Sequence, residues 1–234
     1  SIAGVSLNGG TLLLDPRDIY VRDSSKSGYT STSNLNDVDS FNDGNNALYQ
    51  VNSSTIETAL TAGTNVILQA RQDIFVQSDI IATGSSGGDL TLNAGVDIEI
   101  SADITTANGD LNLIANNASV TSRGTDQSDI DVTSTLNLGS GDLNITLGNV
   151  SSGDSNNVHL GLATINANNI TLTDSGTGSN TSRVSVLGDL NASSAINVTS
   201  TNKRVNVGSA SLTANGTGTA VDITSKYLTF SINV

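Results

Sequence analysis

The feature that most constrains the fold is a short phrase that the chain repeats. Residues 88–92 read Gly-Asp-Leu-Thr-Leu, and the pattern returns 21 positions later at 109–113, then at 141–145, and in shorter form at 188–190. Within each phrase apolar and polar residues alternate, which predicts a strand that buries one face and exposes the other. A period near twenty residues with several short strands is typical of the coils of a solenoid.

The same alternation runs from about residue 64 onward, punctuated by Gly, Asn, Asp and Ser, which favour turns. We therefore predict an all-β fold, a right-handed parallel β-helix, as a single continuous domain. Residues 64–234 form its regular coils, and residues 1–63 form the first coil or coils. The ~180 residues after position 50 predict roughly eight or nine coils. Ten aliphatic residues are expected to point inward: Val66, Leu68, Leu90, Leu92, Ile98, Ile100, Leu111, Leu113, Leu143 and Ile145.

Composition favours this fold over an antiparallel sandwich. The chain has no Cys, Met or Trp and only 3% aromatic residues, so Val, Ile, Leu and Ala must supply the core in many small portions. A sandwich expects large aromatic core residues and hairpin turns, and neither dominates here. A solenoid needs only a few aliphatic residues in each layer.

The first 63 residues differ from the rest. They hold four of the seven aromatics, the single proline and a long polar stretch at residues 23–46, which we interpret as a loop leaving the solenoid wall. Ser54 and Glu57 have the spacing of a capping box, and Gly63 stands where a helix would stop. These signals predict a short helix over residues 55–62.

Charge excludes one class of partner. The formal net charge is −13 and the pI about 4.1, which argues against nucleic acid as a ligand. Without Cys there is neither a disulfide framework nor thiol chemistry. No apolar stretch approaches the ~18 residues of a membrane-spanning helix, so we expect a protein that does not span the membrane.

Few residues offer catalytic chemistry. His159 is the only histidine, and the alternation around it turns it outward as a solvated side chain. Two carboxylate pairs, Asp97 with Glu99 and Asp129 with Asp131, lie at i, i+2, roughly 6–7 Å apart between Cα atoms. Such pairs suit general acid–base work or Ca²⁺ binding. Because aromatic residues that would hold a sugar are scarce, we expect no enzyme activity.

One stretch partly resembles a calcium-binding loop. Asp37, Asp39 and Asp43 alternate before Gly44, but the third acid falls two positions late and no Glu closes the loop. Ca²⁺ is therefore the single cofactor considered, and a solvated loop is the alternative.

Nine Asn-x-Ser/Thr motifs are possible glycosylation sites, although the abundance of Asn, Ser and Thr accounts for most of them. They begin at Asn52, Asn117, Asn144, Asn149, Asn169, Asn180, Asn191, Asn197 and Asn215.

Specific recognition usually needs aromatic or Arg anchors. Outside the core pattern these concentrate early in the chain, at Arg22, Tyr29, Phe41 and Tyr49. The alternative is that the aromatic rings fasten the polar loop to the wall. We expect deletion of residues 24–46 to leave the rod folded, because loops lie outside its ladders.

Three stretches resemble a known family. Residues 11–21, and residues 56–70 together with 73–76, are similar to filamentous-haemagglutinin-type exoproteins. Residues 88–120 are similar to the repeat blocks of the same proteins, including the high-molecular-weight adhesins. The resemblance implies two-partner secretion through an outer-membrane transporter, a secreted or cell-surface location, and adhesion to a receptor or glycan on a host or neighbouring cell. Only ten residues precede the family-like Leu-Asp-Pro phrase, so we expect a segment that follows the secretion domain.

Three functions remain in view. The first is a non-enzymatic segment of a surface adhesin. The second is a structural filament or matrix subunit that assembles end to end, since open solenoid ends expose unpaired backbone groups. The third is a carbohydrate-active β-helix enzyme.

Overall fold

The chain winds into a parallel β-solenoid of about six turns, which confirms the predicted fold class. A computed structural model describes residues 11–14, 17–23, 48–117, 128–148, 156–175, 183–208, 210–217 and 220–230. In chain order its elements are β1 (Thr11–Leu14), β2 (Asp18–Arg22), β3 (Leu48–Asn52), α1 (Ser53–Thr61), β4 (Asn65–Ala70), β5 (Ile74–Val76), β6 (Ile80–Ile81), β7 (Leu90–Ala94), β8 (Ile98–Ile100), β9 (Ile104–Thr105), β10 (Leu111–Ala115), β11 (Asp129–Val132), β12 (Leu136–Asn137), β13 (Leu143–Leu147), β14 (Asn157–Leu160), β15 (Thr164–Asp174), β16 (Arg183–Val186), β17 (Asp189–Val207), β18 (Leu212–Ala214) and β19 (Val221–Phe230).

Parallel pairing stacks the strands into three faces. Face A contains β1, β4, β7, β10, β13, the end of β15, the middle of β17 and the start of β19. Face B contains β3, β2, β5, β8, β11, β14, β16 and the ends of β17 and β19. Face C contains β6, β9, β12, the starts of β15 and β17, and β18.

Coil length varies more than the repeated phrase suggests. On face A, Leu90 pairs with Val66 and Leu111, which lie 24 and 21 positions away, whereas Leu111 pairs with Leu143, 32 positions on. The prediction of eight or nine coils is therefore wrong. Longer connections between faces A and B take up residues that a constant period near twenty would have given to further coils.

The core is the predicted set of aliphatic rows. All ten residues expected to point inward are 0–1% exposed, and each stacks on an apolar residue of the neighbouring coil. Fully burying one such side chain stabilises the fold by roughly 1.5–3 kcal/mol. The repetition of small contributions replaces the aromatic core that this chain lacks.

The repeated Gly-Asp phrase has a structural cause in two stacked columns. Asp89 Oδ1 accepts the backbone N–H of Asp110 at 2.9 Å, and Asp110 Oδ1 accepts that of Asp142 at 2.8 Å, so each carboxylate holds the next coil. Beside them, a Cβ on Gly109 would lie 2.0 Å from the carbonyl oxygen of Gly88. Only glycine permits this close approach between coils.

Helix α1 begins earlier than predicted. Its N-cap is Asn52, whose Oδ1 accepts the backbone N–H of Ser54 at 3.1 Å, so the capping box assigned to Ser54 and Glu57 is wrong. The reason is that β3 runs directly into the helix with Asn52 still extended, and Asn is itself a strong N-cap. The predicted stop is confirmed: Gly63 has φ +73°, and its N–H donates to the carbonyl of Leu60.

The helix takes the place of a strand on face C. Glu57 Oε1 accepts the backbone N–H of Ile81 at 3.0 Å, and Thr61 Oγ1 accepts that of Thr83 at 3.1 Å. On the inner side, Ile56 and Leu60 are fully buried. These side-chain oxygens thus accept the backbone N–H groups at the edge of face C, to which a strand of a preceding coil would otherwise bond.

Strand β3 reverses the order of the stack. It pairs in parallel with β2 on the side away from β5, with Asp18 opposite Leu48 and Arg22 opposite Asn52. The chain must therefore travel back along β2, about 17 Å for five residues, before β3 begins. Parallel neighbours need a crossover of about a dozen residues or more. The register of β2 with β3 therefore leads us to expect that deletion of residues 24–46 disturbs the fold, because only Asp23 and Ala47 would remain to span that distance.

Candidate functional site

Most of the described sequon asparagines hold coils together. The side-chain amides of Asn117, Asn144 and Asn191 donate to the side-chain oxygens of Asn93, Asn112 and Asn166 at 2.8, 3.1 and 3.1 Å. Asn169 Nδ2 donates to Asp142 Oδ1 at 3.0 Å, and Asn52 caps α1. Asn197 lies in register with Thr171 on face A, and Asn215 is exposed after β18. Asn149 and Asn180 lie outside the described residues.

The calcium-loop residues and two of the anchors also lie outside the described residues: Asp37, Asp39, Asp43, Tyr29 and Phe41. Within the described ranges, no group of three or more His, Cys, Asp or Glu side chains is placed to hold a metal ion.

The other two predicted anchors are held by the wall. Arg22 Nε donates to Gln77 Oε1 at 2.6 Å, and its guanidinium lies 4.7 Å from the centre of the Tyr20 ring. Tyr20 in turn stacks on Phe75 with ring centres 4.7 Å apart. Tyr49 is only 8% exposed, so its ring packs into the structure and does not offer a surface anchor.

The carboxylate pairs meet on face B. Ile98 pairs with Ile130, which places Asp97 and Glu99 one coil away from Asp129 and Asp131. The outward row continues from Asp131 to His159 on β14 and then to Ser185 on β16. Three consecutive coils thus present an acid, an imidazole and a hydroxyl in one line.

Asp131 and His159 are in direct contact. Asp131 Oδ1 lies 2.9 Å from His159 Nδ1, and the two side chains are 42% and 41% exposed. A carboxylate only accepts hydrogen bonds, so Nδ1 carries the proton that lies between them. In the neutral ring Nε2 is then an acceptor.

Asp129 lies deeper in the same coil. Its Oδ1 accepts both the backbone N–H and the side-chain amide of Asn157, at 2.8 and 3.1 Å. Burial raises the pKa of Asp129, and the hydrogen bonds from Asn157 offset only part of that effect. Ionising this carboxyl therefore costs more than it would in water.

Ser185 is the residue that sequence reasoning missed. It is only 6% exposed, and its hydroxyl makes no hydrogen bond to the part of the chain that the structure describes. It lines a cavity of about 240 Å³ with Asp129, Asp131, Asn157, Val158 and His159. The separations of 28 and 26 residues from Asp131 to His159 and from His159 to Ser185 match neighbouring coils, and were the available signal.

A hydrolytic triad would join an acid, a histidine and a serine in one line of hydrogen bonds. Among the described contacts, no hydrogen bond joins His159 to the Ser185 hydroxyl that would have to be activated. The backbone N–H groups of interior strands such as β14 and β16 bond to neighbouring strands, so they do not converge on a developing oxyanion. We call this cluster of six lining residues the face B cavity; it offers carboxylate oxygens, an imidazole and a hydroxyl to a ligand.

Comparison of the chain with family models, curated proteins and solved structures found no match. No helix in the described ranges has the length and apolar character needed to cross a membrane.

Proposed function

We propose that this chain is a non-enzymatic rod segment of a secreted bacterial surface adhesin, exported by two-partner secretion and binding a receptor or glycan on another cell. The observation that carries the proposal is the continuous parallel solenoid, in which the strands of each face pair in parallel from coil to coil. The similarity of residues 11–21, 56–70 and 88–120 to haemagglutinin-type exoproteins supports the same class.

The way the coils are joined suits a rod outside the cell. Aspartate columns and asparagine ladders tie neighbouring coils through side chains, and the chain contains no Cys that an oxidising environment would alter. Because such contacts recur from coil to coil, they fix the spacing of neighbouring coils along the axis, and the segment needs no large central core.

The test separates location from adhesion. The natural reading frame, with any adjacent transporter gene, is expressed in a bacterial host and the chain is detected on intact cells by antibody. Beads coated with the purified chain are then presented to host cells. We expect surface display that depends on the transporter, and bead attachment above an albumin control. Retention in the cytoplasm with the transporter present would overturn the proposal, as would attachment equal to the control.

One observation favours the filament alternative. On β19 the residues that continue the inner rows are exposed, with Val221 at 37%, Leu228 at 43% and Phe230 at 57%. Toward the other end of the described solenoid, β3 pairs with the outer edge of β2, and α1 covers the edge of face C. Sedimentation at increasing protein concentration distinguishes the two functions. Growth into fibres supports a filament subunit, whereas a sedimentation coefficient that stays that of the monomer supports the adhesin segment.

A further inference from the structure

The face B cavity differs from the walls around it. On face A the matching outward row is Thr91, Asn112 and Asn144, whose side chains bond to one another at 3.4 and 3.1 Å. In the face B cavity the outward groups are a carboxylate, an imidazole and a hydroxyl, and the hydroxyl of Ser185 has no partner in the described structure. The Ser185 hydroxyl borders the cavity, where it can donate a hydrogen bond to a ligand or accept one from it.

The polar groups of the cavity are mainly acceptors. Asp129 and Asp131 accept when ionised, and Nε2 of neutral His159 accepts because Nδ1 donates to Asp131. The Ser185 hydroxyl both donates and accepts. A fitting ligand is therefore rich in hydrogen-bond donors. None of the six lining residues is Lys or Arg, and Lys203, whose charge reaches Asp129, is already paired with Asp174, so an anionic ligand would be repelled by two carboxylates.

The volume of the cavity restricts the class of ligand further. The volume of about 240 Å³ lies below the range of about 300–1,000 Å³ that is usual for small-molecule sites. It suits a single ring that carries several hydroxyls. No Phe, Tyr or Trp lines the cavity, so such a ring would be held by hydrogen bonds to its hydroxyls and not by stacking on an aromatic side chain. Adjacent hydroxyls of such a ring donate to one carboxylate, while another hydroxyl meets His159 or Ser185.

We propose that the face B cavity binds one uncharged sugar residue of a glycan, with Asp129, Asp131 and His159 Nε2 accepting from its hydroxyls and Ser185 completing the contact. This rests on the proposed adhesin function and names the ligand class that it would use.

The single histidine provides a direct readout. Because His159 is the only one in the chain, its imidazole signals in an NMR spectrum are unique. The chain is titrated separately with methyl glucoside, methyl galactoside and methyl N-acetylglucosaminide, and with glucuronate as the anionic control. We expect a saturable shift of the imidazole signals with at least one uncharged glycoside and none with glucuronate.

Variants locate the site. Asp131→Asn is expected to weaken the affinity about tenfold or more, because a hydrogen bond to a charged group is lost, and Ser185→Ala by several-fold. Asp222→Asn removes an exposed carboxylate on face A, outside the cavity, so its affinity should stay within about twofold of the parent. Circular dichroism confirms that each variant remains folded.

Two results overturn the inference: no uncharged glycoside produces a saturable shift, or Asp222→Asn weakens binding as much as Asp131→Asn. The bead assay separates this from the proposed function. Undiminished attachment of the Asp131→Asn chain would refute the sugar site and leave the adhesin intact, whereas sugar binding without attachment would do the reverse.

Discussion

Lys203 and Asp174 form an ion pair inside the solenoid, with Nζ 3.0 Å from Oδ1 and side-chain exposures of 0% and 1%. The ammonium also donates to the carbonyl of Asn156 at 3.2 Å, and Ser200 Oγ donates to Asp174 Oδ2 at 2.9 Å. The pair lies where face A turns to face B, at the point where the aliphatic row of face A gives way from Leu147 to Asp174. Burying both charges is costly, and their close contact offsets that cost.

Removing one partner of this pair should be strongly destabilising. Lys203→Met leaves the buried carboxylate uncompensated and is expected to lower the free energy of unfolding by about 3–5 kcal/mol in urea titrations. The double variant Asp174→Leu/Lys203→Met should recover most of that loss, because it removes both charges. Lys226→Met, at an exposed position, is the control and should change stability by less than about 0.5 kcal/mol. Equal stability of Lys203→Met and the parent would show that the pair is not buried as described.

The aspartate column should depend on its acceptor and not on its charge. Asp110→Ala removes the oxygen that accepts the backbone N–H of Asp142 and is expected to cost about 1–3 kcal/mol. Asp110→Asn keeps an oxygen at that place and removes one of three stacked carboxylates, so it should be at least as stable as the parent. Urea titration of the two variants makes the comparison. A larger loss for Asn than for Ala would contradict the role assigned to the column.

The raised pKa of Asp129 determines whether this residue stabilises the fold more at low pH or at high pH. Because the pKa of Asp129 is raised above its ordinary value, the folded state holds this proton more tightly than the unfolded chain. Its contribution to the free energy of unfolding therefore grows as the pH falls through the raised folded pKa. At neutral pH the ionised form is the costly one. Asp129→Asn keeps an acceptor for Asn157 and should raise the Tm at pH 7, with an advantage that shrinks toward pH 4. An advantage that grows on acidification would contradict this sign.

Metal removal should change little. The coils are joined by hydrogen bonds between protein groups, and the described residues form no metal cluster. We expect EDTA to leave the Tm within about 1 °C, with Ca²⁺ added back as the control. A large drop on chelation would assign a stabilising ion to the loop that contains Asp37, Asp39 and Asp43.

The connection from β2 to β3 should be needed for its length and not for its sequence. Deletion of residues 24–46 is expected to detach β3 and to lower the Tm, because two residues cannot span the return along β2. A flexible replacement of about a dozen residues should restore the parental Tm. Calorimetry of both variants decides, and full stability of the simple deletion would contradict the observed order of β3 and β2.

The sequence by itself determined what depends on neighbours along the chain. Alternation at period two assigned Leu90, Leu111 and Leu143 to the inside, and the left-handed position of Gly63 ended the helix. The recurring Gly-Asp phrase marked where coils touch, although its cause, the space that Gly109 leaves for the carbonyl of Gly88, is visible only between coils.

Only the tertiary structure decided which coils are neighbours and how far apart they begin. The coil lengths between β4 and β13, which run from 21 to 32 residues, depend on connections whose size no local pattern fixes. The register that aligns Asp131, His159 and Ser185, and the turn that brings Lys203 against Asp174, both follow from those lengths. The sequence fixes which chemical group each side chain carries, but the number of residues in a coil decides which group that side chain meets. One residue more in a coil would turn each outward side chain inward.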